Sequence, residues 1–273
     1  MGGPGLVTNR VEYVGSEDPR VADYRDLTDV GWRTKIEPGA GYFLAEGEKV
    51  ILRALAAGYR PRSALMAEKW LPGLAAPLAA HDVTVLVADE SVLRSIVGFR
   101  LHRGALAAFE RKPRPPIADL IADASRLLLL EDLVDHTNVG LIVRTAAAFG
   151  IDAVLVSPRC ADPYYRRSVK TSMGAVLTMP WTVAEPWPGT LTWLREAGFT
   201  LLGLTPDPAG VDIRSWHAAE GDRLALLLGT EGGGLSAEAL AAVDVWLRIP
   251  MTSRVDSLNV AAAAAVACFA VTG

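Results

Sequence analysis

Cysteine is nearly absent from this chain, with Cys160 and Cys268 the only two among 273 residues. That excludes a disulfide framework and a cysteine-based zinc site. Cys268, set in an alanine-rich run, reads as a small buried hydrophobe. Also missing is an uninterrupted apolar stretch of about 18 residues. The nearest approach, Val260 to Val271, is too short and follows a polar, charged segment. The opening Met1-Gly2-Gly3-Pro4-Gly5 places no basic stretch before an apolar one, as a secretory signal would. The expectation is a cytoplasmic protein with no membrane span and no metal. Positive charge is not in excess either. The formal net charge is −4, which argues against nonspecific coating of nucleic acid but leaves local basic patches free to matter. What is abundant is aliphatic. At 51% hydrophobic and 21% charged, the chain can bury a sizeable core. Its length suits one large domain or two small ones, at roughly 100–200 residues each.

Residues 1–20 read as a loose arm. From Ala22 a helix can open, ending in a turn near Glu37-Pro38-Gly39, and an α/β alternation follows. Strands are expected at 42–45, 63–66, 83–87 and 104–109, with helices at 47–57, 70–81 and 90–97 between them. Glu110-Arg111-Lys112-Pro113-Arg114-Pro115-Pro116 then has three prolines in four positions, which forbid regular structure and stiffen a connection. The organisation predicted is an arm at 1–20, a small α/β domain at 21–112, a proline-rich linker at 113–119 and a second domain at 120–273. In that second domain, strands at 126–130, 153–156, 200–204, 224–228 and 245–249 alternate with helices, and an alanine-rich helix comes last. Such alternation predicts an α/β fold with a mostly parallel sheet covered on both faces, and ligands bind such sheets beyond the carboxyl ends of the strands.

Three loops at such strand ends carry the unusual residues. After 126–130 comes Glu131-Asp132-Leu133-Val134-Asp135-His136-Thr137-Asn138. Asn138 suits an N-cap, and Val139, Ile142, Val143 and Ala146 form the buried stripe of the helix behind it. Arg144 falls off that stripe, so by helix geometry alone it is an exposed arginine. After 224–228 comes Gly229-Thr230-Glu231-Gly232-Gly233-Gly234. Its glycines let backbone approach a ligand and expose amide donors. It is neither a dinucleotide fingerprint, because Glu231 stands at the second glycine, nor a P-loop, because Leu235 stands where lysine belongs. After 245–249 comes Pro250-Met251-Thr252-Ser253-Arg254-Val255-Asp256-Ser257-Leu258-Asn259. Asp256 or Ser257 can cap the last helix, which leaves Asn259 less easily explained.

Asn138-Val139-Gly140 with Arg144, then Leu228-Gly229-Thr230-Glu231-Gly232, then Ile249-Pro250-Met251 with Ser257-Leu258-Asn259-Val260, resemble the three motifs of the SpoU/TrmH family, in order and over roughly residues 120–273. The resemblance implies a deep trefoil knot, an exception to the rule that chains avoid knots. It further implies S-adenosylmethionine as cofactor, a homodimer through the C-terminal domain, and methylation of a ribose 2′-hydroxyl in RNA. Carried over by position, Thr205, Gly229, Gly232, Ile249, Met251 and Leu258 would contact the cofactor. Asn138, Arg144, Glu231, Ser257 and Asn259 would form the catalytic and substrate-orienting set. The first domain is similar in layout to the substrate-binding domain of ribosomal-RNA members, itself similar to RNA-binding ribosomal proteins. No basic extension follows the last helix, as it tends to in tRNA-modifying members, so ribosomal RNA is the expected substrate. The alternatives are the same chemistry on tRNA and a non-catalytic RNA-binding protein.

Two basic clusters are the expected RNA contacts. Arg103, Arg111, Lys112 and Arg114 lie at the domain junction, with Arg100 nearby. Tyr165, Arg166, Arg167 and Lys170 lie on what reads as a loop of the second domain, preceded by Tyr164. Arginines pair with phosphates and tyrosines stack on unpaired bases, although an ordinary solvated charge run fits both clusters equally well.

Overall fold

The structure is a computed structural model that describes residues 10–101 and 104–273. The chain divides into two compact units, one of residues 1–112 with 164–177 and one of residues 113–163 with 178–273.

The first unit is built on a five-stranded sheet. Its elements are β1 (Arg10–Tyr13), α1 (Val30–Gly39), β2 (Tyr42–Glu46), α2 (Glu48–Ala56), β3 (Pro61–Met66), α3 (Leu71–Ala79), β4 (Thr84–Val87), α4 (Glu90–Val97) and β5 (Ala105–Glu110). The strand order is β1-β4-β3-β5-β2, with β5 antiparallel to both neighbours and the rest parallel. Interior β5 and edge strand β2 are apolar up to a closing glutamate; β2 is buried throughout and β5 up to the exposed Glu110.

Three expectations need correction here. Part of the supposed arm is β1, which hydrogen-bonds along Thr84–Val87. Its four residues, Arg-Val-Glu-Tyr, alternate polar and apolar as a strand does but over too short a run to stand out, and they pair along the edge of β4. The turn near Pro38 is the last turn of α1, held by the buried pair Arg33 and Glu37, 2.8 Å apart and each 1% exposed. Arg33 also donates to the Asp23 carbonyl at 2.9 Å.

The third correction concerns 164–177, which belongs to the first unit rather than to a loop of the second. Tyr165 is buried at 2% exposure. Tyr164 stacks on Phe43 at 5.2 Å, and its hydroxyl shares a 2.9 Å hydrogen bond with that of Tyr59. Arg166 and Lys170 both pair with the carboxylate of Glu46, which is itself 1% exposed. These residues are a packed ionic clamp on β2, and of the cluster only Arg167 is exposed. Removing one member of a buried ion set strands the others. Glu46→Ala is therefore expected to cost about 3 kcal/mol in urea unfolding of the first unit, whereas Arg167→Ala should cost within about 0.5 kcal/mol.

The second unit continues the chain through α5 (Ile117–Ile121), β6 (Arg126–Leu130), α6 (His136–Ala148) and β7 (Ala153–Val156). After the excursion that contains α7 (Arg166–Thr171), it resumes with β8 (Trp181–Val183), α8 (Gly189–Glu196), β9 (Phe199–Leu204), β10 (Val211–Asp212) and β11 (Arg223–Leu228). It ends with α9 (Ala237–Ala242), β12 (Val245–Arg248) and α10 (Val260–Thr272). The seven strands lie in the order β10-β12-β9-β11-β6-β7-β8, all parallel. One face packs Leu127, Leu129, Leu201, Ala225 and Leu227 against α8 and α9. Cys268 on α10 is fully buried, and burial pushes its thiol up to about 12. Among the described residues no helix is long and apolar enough to cross a membrane.

Candidate active site

Strands β9, β11 and β12 end on the same side of the sheet, where a parallel fold presents its loops. Beyond their ends lies an open cleft of about 170 Å³, at the place where such folds bind small molecules. Leu204, Leu228, Ile249, Leu258 and Val260 form apolar walls, and the loop 229–234 forms one side. Thr205, Gly229, Gly232, Ile249, Met251 and Leu258 all line this cleft, as do Glu231 and Ser257. Residues far apart in sequence and assigned to two roles thus share one pocket.

The glycine loop is a tight self-bonded turn. Thr230 and Gly234 exchange backbone hydrogen bonds of 2.9 and 3.0 Å, and Gly233 N donates to Thr230 Oγ1 at 3.1 Å. Gly234 has φ +66°, which L side chains rarely adopt. At Gly229 a Cβ would lie 2.1 Å from the carbonyl carbon of Gly234 and 2.3 Å from Leu235 N, so no side chain fits. At Gly232 nothing lies within 4 Å of that position, and the backbone there faces open space.

At the tip of the loop, the Asn138 amide donates from Nδ2 to Glu231 Oε1. Asn259 Nδ2 in turn donates to Asn138 Oδ1 at 3.2 Å. Both asparagines differ from their expected local roles. Asp135, not Asn138, caps α6 by accepting from Thr137 N. That places Asn138 inside the first turn, 7% exposed, with its amide turned to the loop. Asn259, not Asp256 or Ser257, caps α10, accepting from Ala261 N and Ala262 N at 3.0 and 3.3 Å. The cap uses its oxygen, and its nitrogen is left to orient Asn138. One short chain of hydrogen bonds therefore connects the three motif loops.

Arg144 lies outside the cleft. The α6 stripe of Val139, Ile142, Val143 and Ala146 is fully buried, so Arg144 projects on the exposed face. It lines a shallow groove with Leu141, Thr145, Ala148, Phe149, Asn259, Ala261 and Ala262. Asn259 thus borders the groove while bonding into the network beside the cleft.

Of the remaining basic residues, Lys112 and Arg114 are exposed. Lys112 Nζ donates to the Ala57 carbonyl at 2.6 Å and lies 4.5 Å from the Tyr59 ring centroid. Arg111 is half-buried, with Nε donating to the Tyr42 carbonyl at 2.7 Å. Arg103 lies outside the described residues.

Glu131 was not singled out by the sequence. It follows β6 directly and is 3% exposed, with its carboxylate accepting from Ser236 N, Ser236 Oγ and Trp187 Nε1 at 2.8, 2.7 and 2.8 Å. The one available signal was an acid placed immediately after the four buried leucines of a parallel strand. Its neighbour Asp132 is pulled two ways. Burial would raise its carboxyl, but hydrogen bonds from Arg159 and Ser157 prevail and hold it below the ordinary range.

The chain is similar to known proteins over nearly its whole length. An uncharacterised tRNA/rRNA methyltransferase of Mycobacterium tuberculosis is 41% identical over 254 residues, spanning 93% of this chain and 88% of its own. A 23S rRNA (guanosine(2553)-2'-O)-methyltransferase of Bacillus subtilis is 27% identical over 266 residues, 94% of this chain and 98% of its own. Among solved structures, an AdoMet-bound rRNA methyltransferase from Sinorhizobium meliloti superposes with a TM-score of 0.81 at 28% identity, covering 96% of this chain and 97% of that one. Residues 125–269, which hold β6 to α10 and both sides of the cleft, match the SpoU rRNA methylase family. By this match and by its 41% identical relative, the chain belongs to that family.

Proposed function

We propose that this protein transfers a methyl group from S-adenosylmethionine to a ribose 2′-hydroxyl of large-subunit ribosomal RNA. The observation that carries the reading is the gathering of Thr205, Gly229, Gly232, Ile249, Met251 and Leu258 on one cleft whose rim acid, Glu231, is bonded to Asn138. An apolar slot with exposed loop backbone and one carboxylate suits a ligand that combines an apolar base, hydroxyls and a cationic centre. The B. subtilis relative's name gives the 2′-O position and 23S rRNA, and the S. meliloti neighbour was solved with AdoMet. As an enzyme of ribosomal RNA, it works in the cytoplasm.

S-adenosylmethionine supplies a methyl already activated on a sulfonium. The residues of this chain have to hold the acceptor ribose, orient its hydroxyl and stabilise the charge that develops on it. Arg144, a fixed cation with a planar donor fork, holds the phosphate and ribose and stabilises the developing alkoxide. Asn138, Asn259 and Ser257 orient the hydroxyl and Arg144. Glu231 fixes the loop tip through Asn138. The reading includes a trefoil knot in the second unit and a homodimer formed through it. Exposed Leu141 on α6 and exposed Val266 and Phe269 on α10 support the dimer, since a second copy would cover this apolar surface. In the first unit, exposed Lys112 and Arg167 supply phosphate contacts, with Arg114 adding to them from the second.

Mapping ribose methylation across total RNA of the host, with and without the gene, tests the reading. Loss of one 2′-O-methyl group in large-subunit ribosomal RNA is the expected result. Loss in tRNA would move the substrate, and no loss anywhere would leave a non-catalytic RNA binder.

A further inference from the structure

We infer that Glu131 is a positioning residue that clamps both ends of the cofactor loop, and through it sets the affinity of the cleft for S-adenosylmethionine. The inference rests on the reading of the cleft given above. The loop leaves the sheet at Leu228 and enters α9 at Ser236. Glu131 holds both points. Its main-chain N donates to the Leu228 carbonyl at 2.8 Å. Its carboxylate takes the Ser236 amide on Oε2 at 2.8 Å and the Ser236 hydroxyl on Oε1 at 2.7 Å. Ser236 Oγ also accepts from Ala239 N at 3.1 Å, so the bond to Glu131 aims the cap of α9 as well.

The loop's own bonds do not do this. Thr230 and Gly234 close the turn internally, and the Asn138–Glu231 bond restrains only its tip. The main-chain bond to Leu228 survives a side-chain substitution at 131. Without the carboxylate the Ser236 stem is released and the turn pivots about Leu228, carrying Gly232 and Glu231 away from Ile249 and Leu258 across the cleft. Glu131 does not itself line the cleft, so its effect passes through the loop. A carboxylate 3% exposed is a costly group to bury unless donors satisfy it, and charge-assisted bonds of this kind are the stronger sort. The third donor, Trp187 Nε1 at 2.8 Å, comes from the segment before α8 and not from the loop. That separation makes the clamp testable, because one donor can be removed without touching the loop.

The test compares Glu131→Ala, Glu131→Gln and Trp187→Phe in the full chain, reading three quantities: hydrogen exchange of residues 229–236 without cofactor, S-adenosylmethionine affinity, and the KM and kcat of methyl transfer. Glutamine keeps the shape but has one acceptor oxygen where the carboxylate has two, so at least one of the three donors loses its partner. It also keeps the test open should the alanine variant not fold. Both Glu131 variants are expected to speed exchange in the loop while β6 and β11 stay protected. They should weaken cofactor affinity about tenfold or more, raising KM with kcat at saturation within about threefold, because bound cofactor restores the loop. Trp187→Phe should lower Tm yet leave loop exchange and cofactor affinity at wild-type values. Wild-type exchange and affinity in a folded Glu131 variant would overturn the clamp, as would an equal loss in Trp187→Phe. If the wild-type protein takes up no S-adenosylmethionine, the reading of the cleft fails instead, and loop exchange still decides whether Glu131 holds the loop.

Discussion

Gly229→Ala is expected to abolish binding in the cleft, while Gly232→Ala, three residues along the same loop, leaves the fold intact. The two glycines have opposite surroundings. An added Cβ at 229 would lie 2.1 and 2.2 Å from the carbonyl carbon and oxygen of Gly234 and 2.3 Å from Leu235 N. All three are backbone atoms, so no rotamer change relieves the clash. The hairpin between Thr230 and Gly234 must open, and with it the wall of the cleft moves. Forcing one carbon into a packed site usually costs about 1–3 kcal/mol, and here the upper end applies because nothing flexible can yield. The expected result is at least a hundredfold loss of S-adenosylmethionine affinity, with Tm lowered by roughly 10 °C. At 232 nothing lies within 4 Å of the new methyl, so its Tm should match the wild type within about 2 °C. Calorimetry and thermal melts on the pair check both halves. Equal tolerance at the two positions would mean the loop is not the tight turn described.

The cleft was legible because the loops that line it follow strand ends, and the strands announce themselves. Leu127–Leu130 and Leu224–Leu228 are uniformly apolar, which only a strand buried on both faces needs. Each is therefore followed by a loop on the ligand side of the sheet. β8 and β10 are two or three residues long and exist by pairing with a neighbour, so no periodicity marks them. The caps were legible in kind and not in place. Asp135 and Asn138 are both good capping residues less than a turn apart, and local sequence does not say which one the helix takes. The answer changes the chemistry, since the residue not spent on the helix is the one that reaches Glu231.

The second basic cluster shows what sequence pattern does not carry. Arg166 and Lys170 look like a solvated run until Glu46, 120 and 124 positions earlier, is folded against them. Glu131 is the converse case. An acid after a strand looks like ordinary loop polarity, and only the arrival of Ser236 and Trp187 makes it a buried acceptor. Both readings depend on partners more than 50 residues away.

The same separation of cleft and groove gives the sharpest test of the chemistry. Arg144→Ala is expected to lower kcat by about 10²–10³, the usual effect of removing one preorganised charge stabiliser, while S-adenosylmethionine affinity stays within about twofold of wild type. Arg144 lines the groove beside Asn259 rather than the cleft. It lies on the exposed face of α6, so its loss opens no cavity and Tm should barely move. Arg144→Lys keeps the cation but loses the planar fork that, on the proposed function, would grip phosphate and ribose at two points. It should recover part of kcat and leave the KM for RNA raised. Single-turnover methyl transfer with calorimetry in parallel separates the two terms. An equal fall in cofactor affinity would place Arg144 in the cofactor site, against the geometry of the groove. An unchanged kcat would remove it from the chemistry and leave the developing alkoxide to be stabilised by the Asn138, Ser257 and Asn259 side chains alone.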